Sequence, residues 1–452
     1  MDLNGFWNFI TGLDWLGAVL KFVVMAIILA VVLVTMGFLT YFERKVAARM
    51  QQRLGPNRTG PVGLLQWVAD AVKLIVKEDV TPAGADRWVF LFAPVLGMFT
   101  ATAAYAFIPL GQSGVLDVFG HKIGLAVGET PIGLIALLAL SSLGVYGLIM
   151  AGWGSNNKYA LLGGLRAGAQ VISYEISMGI SLIGVLMLSQ SFNLNAIARA
   201  QGVLAHVGTG FDPNVMSSVV QANQPGLWFI LLQPLAFVTY LLSAIAETNR
   251  TPFDMPEAEG ELVSGYHIEY GAMHFGGFFL AEYINMITVS AIASFCFLGG
   301  WQPIPPFPYV AGMEPIWLGL KIAFFIFVYY WLRWTLPRVR YDQVMGMTWK
   351  VLLPAALVNI LLVAILKWAM LNVFNNPPPF SWGNIGASWP WLLFAGIELV
   401  IAAVAILFVS RAMTRSFSGR SERPLLIANP TAGNILPAPA PADSGSSLQV
   451  RP

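Results

Sequence analysis

The stretch that decides the fold is residues 246–283, AETNRTPFDMPEAEGELVSGYHIEYGAMHFGGFFLAEY. It carries one arginine, Arg250, among seven acids: Glu247, Asp254, Glu257, Glu259, Glu261, Glu269 and Glu282. Long apolar runs stand on both sides of it, at residues 227–246 and 275–298. Because charge in or beside hydrocarbon is costly, acids placed between two apolar spans indicate a functional site. For the loop acids an ordinary solvated loop stays open as the alternative.

The composition is that of a membrane protein. Hydrophobic residues make up 57% of the 452 and charged residues only 11%, with a mean hydropathy of +0.68, whereas soluble domains are about a quarter charged. The single cysteine, Cys296, excludes intrachain disulfides and thiolate-bound iron–sulfur clusters. The sequence contains no P-loop or GxGxxG motif. The basic residues form no single patch, which argues against a nucleic-acid partner.

Apolar runs of about 20 residues predict membrane spans. The sequence predicts an all-α, polytopic integral membrane protein with nine of them: Phe22–Tyr41, Val89–Ile108, Thr130–Met150, Val171–Leu188, Leu227–Ala246, Phe275–Leu298, Ile316–Leu336, Val351–Val373 and Trp391–Ser410. With the N-terminus outside, 20 of the 25 Lys and Arg residues fall on the inner side. The positive-inside rule therefore places the acidic loop and the C-terminal tail in the cytoplasm.

Two regions are expected from composition. Residues 1–415 form one membrane domain in this interpretation, and residues 416–452 form a cytoplasmic tail. The tail is rich in Pro, Ala and Ser, and such a segment buries too little apolar surface to order itself. We therefore expect it to be largely disordered.

The segment 63–78, GLLQWVADAVKLIVKE, predicts an amphipathic helix between the first two spans. Its polar residues recur at helical spacing and form one stripe: Gln66, Asp70, Lys73 and Lys77. Three interpretations are open. The helix lies on the membrane face, or it packs on its own bundle with the stripe in water, or the stripe points into an internal polar cavity.

Three acids fall within predicted spans, namely Glu175, Glu282 and Glu398. Chains of such acids relay protons, whereas a single neutral acid is satisfied by one neighbouring hydrogen bond. The relay interpretation is favoured for Glu175 and Glu282. For Glu398 both interpretations stay open. The close loop carboxylates cannot all ionise cheaply, so they should respond to a nearby charge change. His267 and His274 lack the spacing of zinc-protease motifs, which favours a structural role over a metal site.

Four segments in matching order resemble one family. They are YFERKVAARMQQRLGPNRTGPVGLLQWVADAVKLIVKE (41–78), SNNKYALLGGLRAGAQVISYEISM (155–178), the acidic stretch (246–283) and LRWTLPRVRYDQVMGMTWK (332–350). The family is the H-subunit family of proton-pumping NADH:quinone oxidoreductase, respiratory complex I, with NADH dehydrogenase subunit 1 as its mitochondrial counterpart.

The resemblance implies a membrane-arm subunit that forms part of the quinone chamber and couples quinone reduction to proton translocation. The implied chamber residues are Glu43, Arg44, Lys45, Arg53, Asp70, Arg250, Asp254, Glu257, Glu259 and Glu261. The implied proton path is Glu175, Glu247 and Glu282. The residues implied to dock the hydrophilic arm are Arg333, Arg338 and Arg340. Some relatives carry an acid where Ser142 stands here, and the nearest acid is Glu129, so the contribution of the third span is in question.

The resemblance also implies that the chain binds no cofactor or metal of its own. Quinone is the substrate, and NADH, FMN and iron–sulfur clusters belong to partner subunits. The expected partners are the quinone-site subunits of the peripheral arm, small membrane-arm subunits and lipid, in a bacterial cell membrane. Two alternatives are an equivalent subunit of a sister complex of the membrane-bound hydrogenase type and a standalone proton or cation transporter. The proteins that co-purify with the chain would separate them.

Overall fold

The computed structural model describes residues 15–111, 116–118, 121–123, 130–202, 227–254, 265–304, 313–374, 385–418, 426–428 and 435–437. The chain separates into two units, Met1–Ile401 and Ala402–Pro452. The second unit holds the end of the last long helix and a short antiparallel ribbon of Leu426–Ala428 with Ile435–Pro437. The predicted boundary at residue 415 stays a prediction.

Helices dominate the described residues. We number them α1 Trp15–Met50, α2 Gln66–Val76, α3 Arg87–Ala103, α4 Gly133–Gly154, α5 Lys158–Ser189, α6 Leu194–Gly202, α7 Phe229–Leu232, α8 Pro234–Glu247, α9 Ala272–Phe297, α10 Glu314–Thr335, α11 Tyr341–Met347, α12 Leu353–Asn372 and α13 Ile385–Ser418. A short ribbon pairs Leu116–Val118 with His121–Ile123. The prediction of an all-α, multi-pass membrane fold is confirmed.

Seven stretches of the described helices are long and apolar enough to cross a membrane, and two shorter apolar helices, Pro234–Glu247 and Trp389–Ala405, coincide with the fifth and ninth predicted spans. The fourth span is longer than predicted, because α5 continues on its N-terminal side to Lys158. Asn157 caps its start by accepting a hydrogen bond from the backbone N–H of Tyr159.

The fifth predicted span is broken in the structure. α7 ends at Leu232 and α8 begins at Pro234, with Gln233 between them at φ −140° and ψ 59°. Proline disfavours helical backbone at the residue before it but suits the first position of a new helix. The Gln–Pro pair therefore interrupts an otherwise continuous apolar run.

An irregular turn, the π-helical segment Thr348–Leu352 between α11 and α12, overlaps the start of the eighth predicted span, Val351–Val373. The Tyr174 hydroxyl donates a hydrogen bond of 2.9 Å to the carbonyl oxygen of Val344, and the Thr348 hydroxyl donates to the same oxygen at 3.2 Å. The Tyr174 hydroxyl therefore attaches α11, just before the irregular turn, to α5.

α9 is the most enclosed long helix among the described residues. From Ala281 to Phe297 all its residues except Asn285 are buried, so any polar group there is held inside the bundle. α4 and α5 pack closely through glycine, since a Cβ added at Gly164 would lie 3.2 Å from the Cα of Gly152.

Candidate functional site

A cavity of about 550 Å³ lies between α1, α2 and α9. The α1 residues that line it recur at helical spacing and change in character along the helix, from Leu33 and Met36 to Glu43 and Arg44. Ten residues of helix correspond to about 15 Å. The aromatic wall comes from Trp67, Phe275, Phe279 and Tyr283. The cavity therefore has an apolar part and a charged part, a shape suited to a molecule with a polar head and an apolar tail.

The amphipathic helix α2 contributes part of its polar stripe to this cavity. Asp70 and Lys73 line it, while Val72 and Ile75 are exposed. Arg44 pairs with Asp70 at 2.7 Å. Half of the stripe, Asp70 and Lys73, therefore faces a polar cavity, whereas Gln66 and Lys77 do not line it. The exposed apolar residues fit a helix on the membrane face as well.

Glu43 is the centre of the charged part and is buried. Its carboxylate accepts a hydrogen bond of 2.6 Å from the Tyr283 hydroxyl, contacts the guanidinium group of Arg333, and lies 3.7 Å from a guanidinium nitrogen of Arg250. A buried carboxylate loses its hydration, and the two cations and the hydroxyl offset that cost.

Arg250 joins this carboxylate to a second one. Its Nη2 lies 3.6 Å from Glu282 Oε2, and its guanidinium carbon lies 4.2 Å from the centre of the Tyr283 ring. The Tyr266 hydroxyl donates to Glu282 at 3.4 Å. A buried series of charges thus runs from Glu43 beside the cavity to Glu282 inside α9.

A second cavity, of about 50 Å³, joins Glu282 to Glu247. Since a water molecule needs about 10–15 Å³ of such volume, the space accommodates a few waters between the two carboxyl groups. Oε2 of Glu247 is buried and has no hydrogen-bond partner in the part of the chain that the structure describes. Glu247 also interacts electrostatically with Glu175. The three acids of the predicted path therefore lie around one small polar region.

Ser142 enters this region from the third span. Its hydroxyl donates a hydrogen bond to Glu175 Oε1. The span that lacks an acid at this position thus still contributes a polar contact to the acid cluster. Glu129 lies outside the described residues.

The start of the acidic loop is anchored from α5. Gln170 is fully buried, and its amide nitrogen donates to the carbonyl oxygens of Ala246 at 3.0 Å and Phe253 at 2.8 Å. The end is anchored by Tyr270, whose hydroxyl donates to the carbonyl oxygen of Phe90 at 3.1 Å. Burial raises the pKa of Tyr270 above its ordinary value. Glu257, Glu259 and Glu261 lie outside the described residues.

Two of the arginines assigned to docking are engaged within the chain. Arg333 contacts Glu43, and Arg338 pairs with Asp254 at 2.7 Å. The backbone of Val339 also donates to the Pro252 carbonyl oxygen at 3.1 Å. Arg340 is exposed. The basic loop after α10 is therefore attached to the acidic loop.

Lys45 and Arg53 do not line the 550 Å³ cavity. Lys45 lies over the ring of Tyr41, and Arg53 is exposed and donates to Gln51 at 2.6 Å. The described residues contain no group of three His, Cys, Asp or Glu side chains able to hold a metal ion.

The sequence analysis did not predict four residues that contribute to the site, namely Ser142, Gln170, Tyr266 and Tyr283. Only Tyr283 had a local signal, because it follows Glu282 directly in an apolar run. The others reach the site across helix contacts that no spacing rule indicates.

The fold and the site define a class: a multi-pass membrane protein in which a cavity with a charged end is connected by buried ion pairs to carboxyl groups within the bundle. The comparisons with known proteins identify the family. The family model described as NADH dehydrogenase matches residues 22–364.

Curated relatives agree with that match. The H subunit of the NADH-quinone oxidoreductase of Thermomicrobium roseum is 50% identical over 78% of this chain and 98% of its own length. The H subunit of Frankia alni is 43% identical over 90% of this chain and 81% of its own. The first H subunit of Geobacter metallireducens is 48% identical over 75% and 93%. The chain belongs to the H-subunit family of NADH-quinone oxidoreductase, a family of membrane subunits of complex I.

Proposed function

We propose that this subunit forms part of the quinone chamber and couples quinone reduction to proton translocation. One observation carries the proposal: the buried series Glu43–Arg250–Glu282 begins at the 550 Å³ cavity and ends at the small cavity shared with Glu247. A charge change at one end therefore acts on a titratable group at the other.

The apolar part of the cavity suits a quinone tail, and the charged part suits the approach of a polar head group. Reduction of a quinone to a quinol consumes two protons, which alters the charge beside Glu43. Arg250 lies between two carboxylates, so weaker attraction to Glu43 strengthens its pairing with Glu282. Waters in the small cavity then pass a proton between Glu282 and Glu247, from which it reaches Glu175.

The electron-transfer groups belong to partner subunits in this proposal. NADH, FMN and the iron–sulfur clusters reside elsewhere in the complex in this proposal, and quinone is the substrate that reaches this chain. The exposed Arg340 and the joined basic and acidic loops face the peripheral arm, on the cytoplasmic side. The N-terminus then lies outside. Glu257, Glu259 and Glu261 line the chamber floor.

The test replaces the acids with their isosteric amides. Glu247→Gln or Glu282→Gln should depress quinone reductase activity and proton pumping together, because each change removes a titratable group from the path. Glu257→Gln should show a weaker effect, since Glu259 and Glu261 partly substitute. All activities are measured in membranes that contain the assembled complex.

Two controls accompany the test. NADH oxidation by an artificial acceptor that bypasses quinone should survive in every variant and reports assembly. Glu78→Gln changes an exposed acid beyond the network and should behave as wild type. Normal quinone-linked turnover and pumping in both Glu247→Gln and Glu282→Gln would reject the coupling role.

A further inference from the structure

A pair of buried side-chain amides stands at the break between α7 and α8. Gln233 occupies the break, and Asn359 faces it from α12. Both side chains are fully buried, and the amide oxygen and nitrogen of each have no hydrogen-bond partner among the described residues. Gly184 of α5 lies against both, since a Cβ added there would be 2.7 Å from Gln233 Oε1 and 2.9 Å from Asn359 Nδ2.

Four unpartnered amide atoms at one place in a membrane bundle call for a ligand. A buried polar group without a partner loses its hydration with nothing to replace it, and buried amides in proteins are satisfied by protein or by ordered water. Water is the ligand that fits, because it donates to the two oxygens and accepts from the two nitrogens. The absence of a side chain at Gly184 lets the ends of both amides lie close to α5 and to each other.

The amides also continue a polar line along the helices that carry the acids. On α5 this line consists of Ser177, Ser181 and Gly184, whose spacings of four and three residues place them on one face of the helix. Both serines are fully buried. From Ser177 to Gly184 the helix rises about 10 Å.

α8 carries the matching side of this line. The Ser243 hydroxyl donates to the Ser177 hydroxyl at 3.2 Å, and Ser243 lies one helical turn before Glu247. Gln233 begins the same helix at its other end. The amide pair is therefore separated from the acids by the length of α8.

We propose that Gln233, Asn359 and Gly184 form a water-binding site that continues the proton path from Glu175 and Glu247 toward the opposite membrane face. The inference rests on the proposed function for the origin of the protons. A carboxyl group releases a proton to a water, the water passes its excess proton to the next water, and the carboxylate is reprotonated from the chamber side. The amides bind the waters and do not ionise.

The first experiment observes the water directly. Cryo-electron microscopy of the assembled complex, at a resolution that shows ordered waters, should reveal density bridging Gln233 and Asn359. Gly184→Ala should remove it, because the methyl group would displace both amide ends, which are the far ends of side chains that can shift. Gly179→Ala is the matched control on the same helix, where an added Cβ meets no atom within 4 Å. A direct amide–amide hydrogen bond without water density would overturn the site.

The second experiment measures the path in the complex reconstituted into vesicles. Asn359→Leu keeps the bulk and removes the polar atoms, so the number of protons pumped per quinone reduced should fall. Asn359→Ser leaves room for water and a hydroxyl to bind it, so the yield should return toward the wild-type value. The artificial-acceptor rate corrects each value for assembly. Equal yields in wild type and Asn359→Leu would overturn the role in the path.

The two proposals fail in different ways. If Glu247→Gln and Glu282→Gln pump normally, the proposed function fails while the water density at the amides is unaffected. If those variants lose pumping but Asn359→Leu does not, the acid path stands and the continuation through the amides is wrong.

Discussion

Neutralising Glu43 tests whether the charged end of the cavity acts as one unit. The variants are Glu43→Gln, Arg333→Gln and the double replacement. Glutamine keeps the shape of Glu43 and can still accept from the Tyr283 hydroxyl, so the change removes charge and little else. The single variants each leave an uncompensated charge, whereas the double variant removes one of each sign.

The magnitude follows from the geometry. At 3.7 Å the Glu43–Arg250 attraction alone is about 4.5 kcal/mol at an effective dielectric constant near 20. Removing one partner from a buried pair typically costs about 3–5 kcal/mol. The Arg333 side chain is 26% exposed, and water screens that part of the pair. We therefore expect Glu43 and Arg333 to be coupled by about 2 kcal/mol, which is within the range for residues in contact.

The assay is quinone reductase kcat/KM in membranes, corrected for assembly by the artificial-acceptor rate. A coupling of about 2 kcal/mol makes the double variant about 30-fold more active than the product of the single effects predicts. Arg340→Gln combined with Glu43→Gln is the matched control and should be additive, since Arg340 is exposed. Single effects of Glu43→Gln and Arg333→Gln that add to within about 0.5 kcal/mol would refute the network.

Two further predictions concern assembly. Deleting residues 420–452 should leave quinone reductase activity and complex recovery near wild type, because the segment is rich in Pro, Ala and Ser and terminal; a complex that no longer assembles would show that the tail docks a partner. Gly163→Ala should lower recovery of the complex several-fold, because the added Cβ would lie 2.6 Å from the backbone of Gly265. Gly97→Ala is the control and should assemble normally, because its added Cβ would lie more than 4 Å from every other described atom considered. Equal recovery of the two glycine variants would contradict the packing.

The sequence predicted those features of the fold that depend on residues close together in the chain. Length and hydropathy placed the spans, and helical spacing predicted the polar stripe of α2, because both depend on residues close in sequence. The proline after Gln233 indicates a helix break at that residue. The break was not predicted, because the hydropathy of residues 227–246 is high throughout. The water site had no such signal, since Gly184, Gln233 and Asn359 come from three separate helices.

The different surroundings of Arg333 and Arg340 show why the rest of the site could not be predicted from the sequence. A sequence presents Arg333 and Arg340 as members of one basic loop, seven residues apart. Burial distinguishes them: Arg333 enters the bundle, where the cost of removing its charge from water is met by Glu43, 290 residues earlier. Arg340 is exposed, so its charge stays in solvent. A charge therefore becomes part of the internal network or of a docking surface according to whether a compensating group lies across the bundle. That is a property of the packed helices and not of the loop that carries the residue.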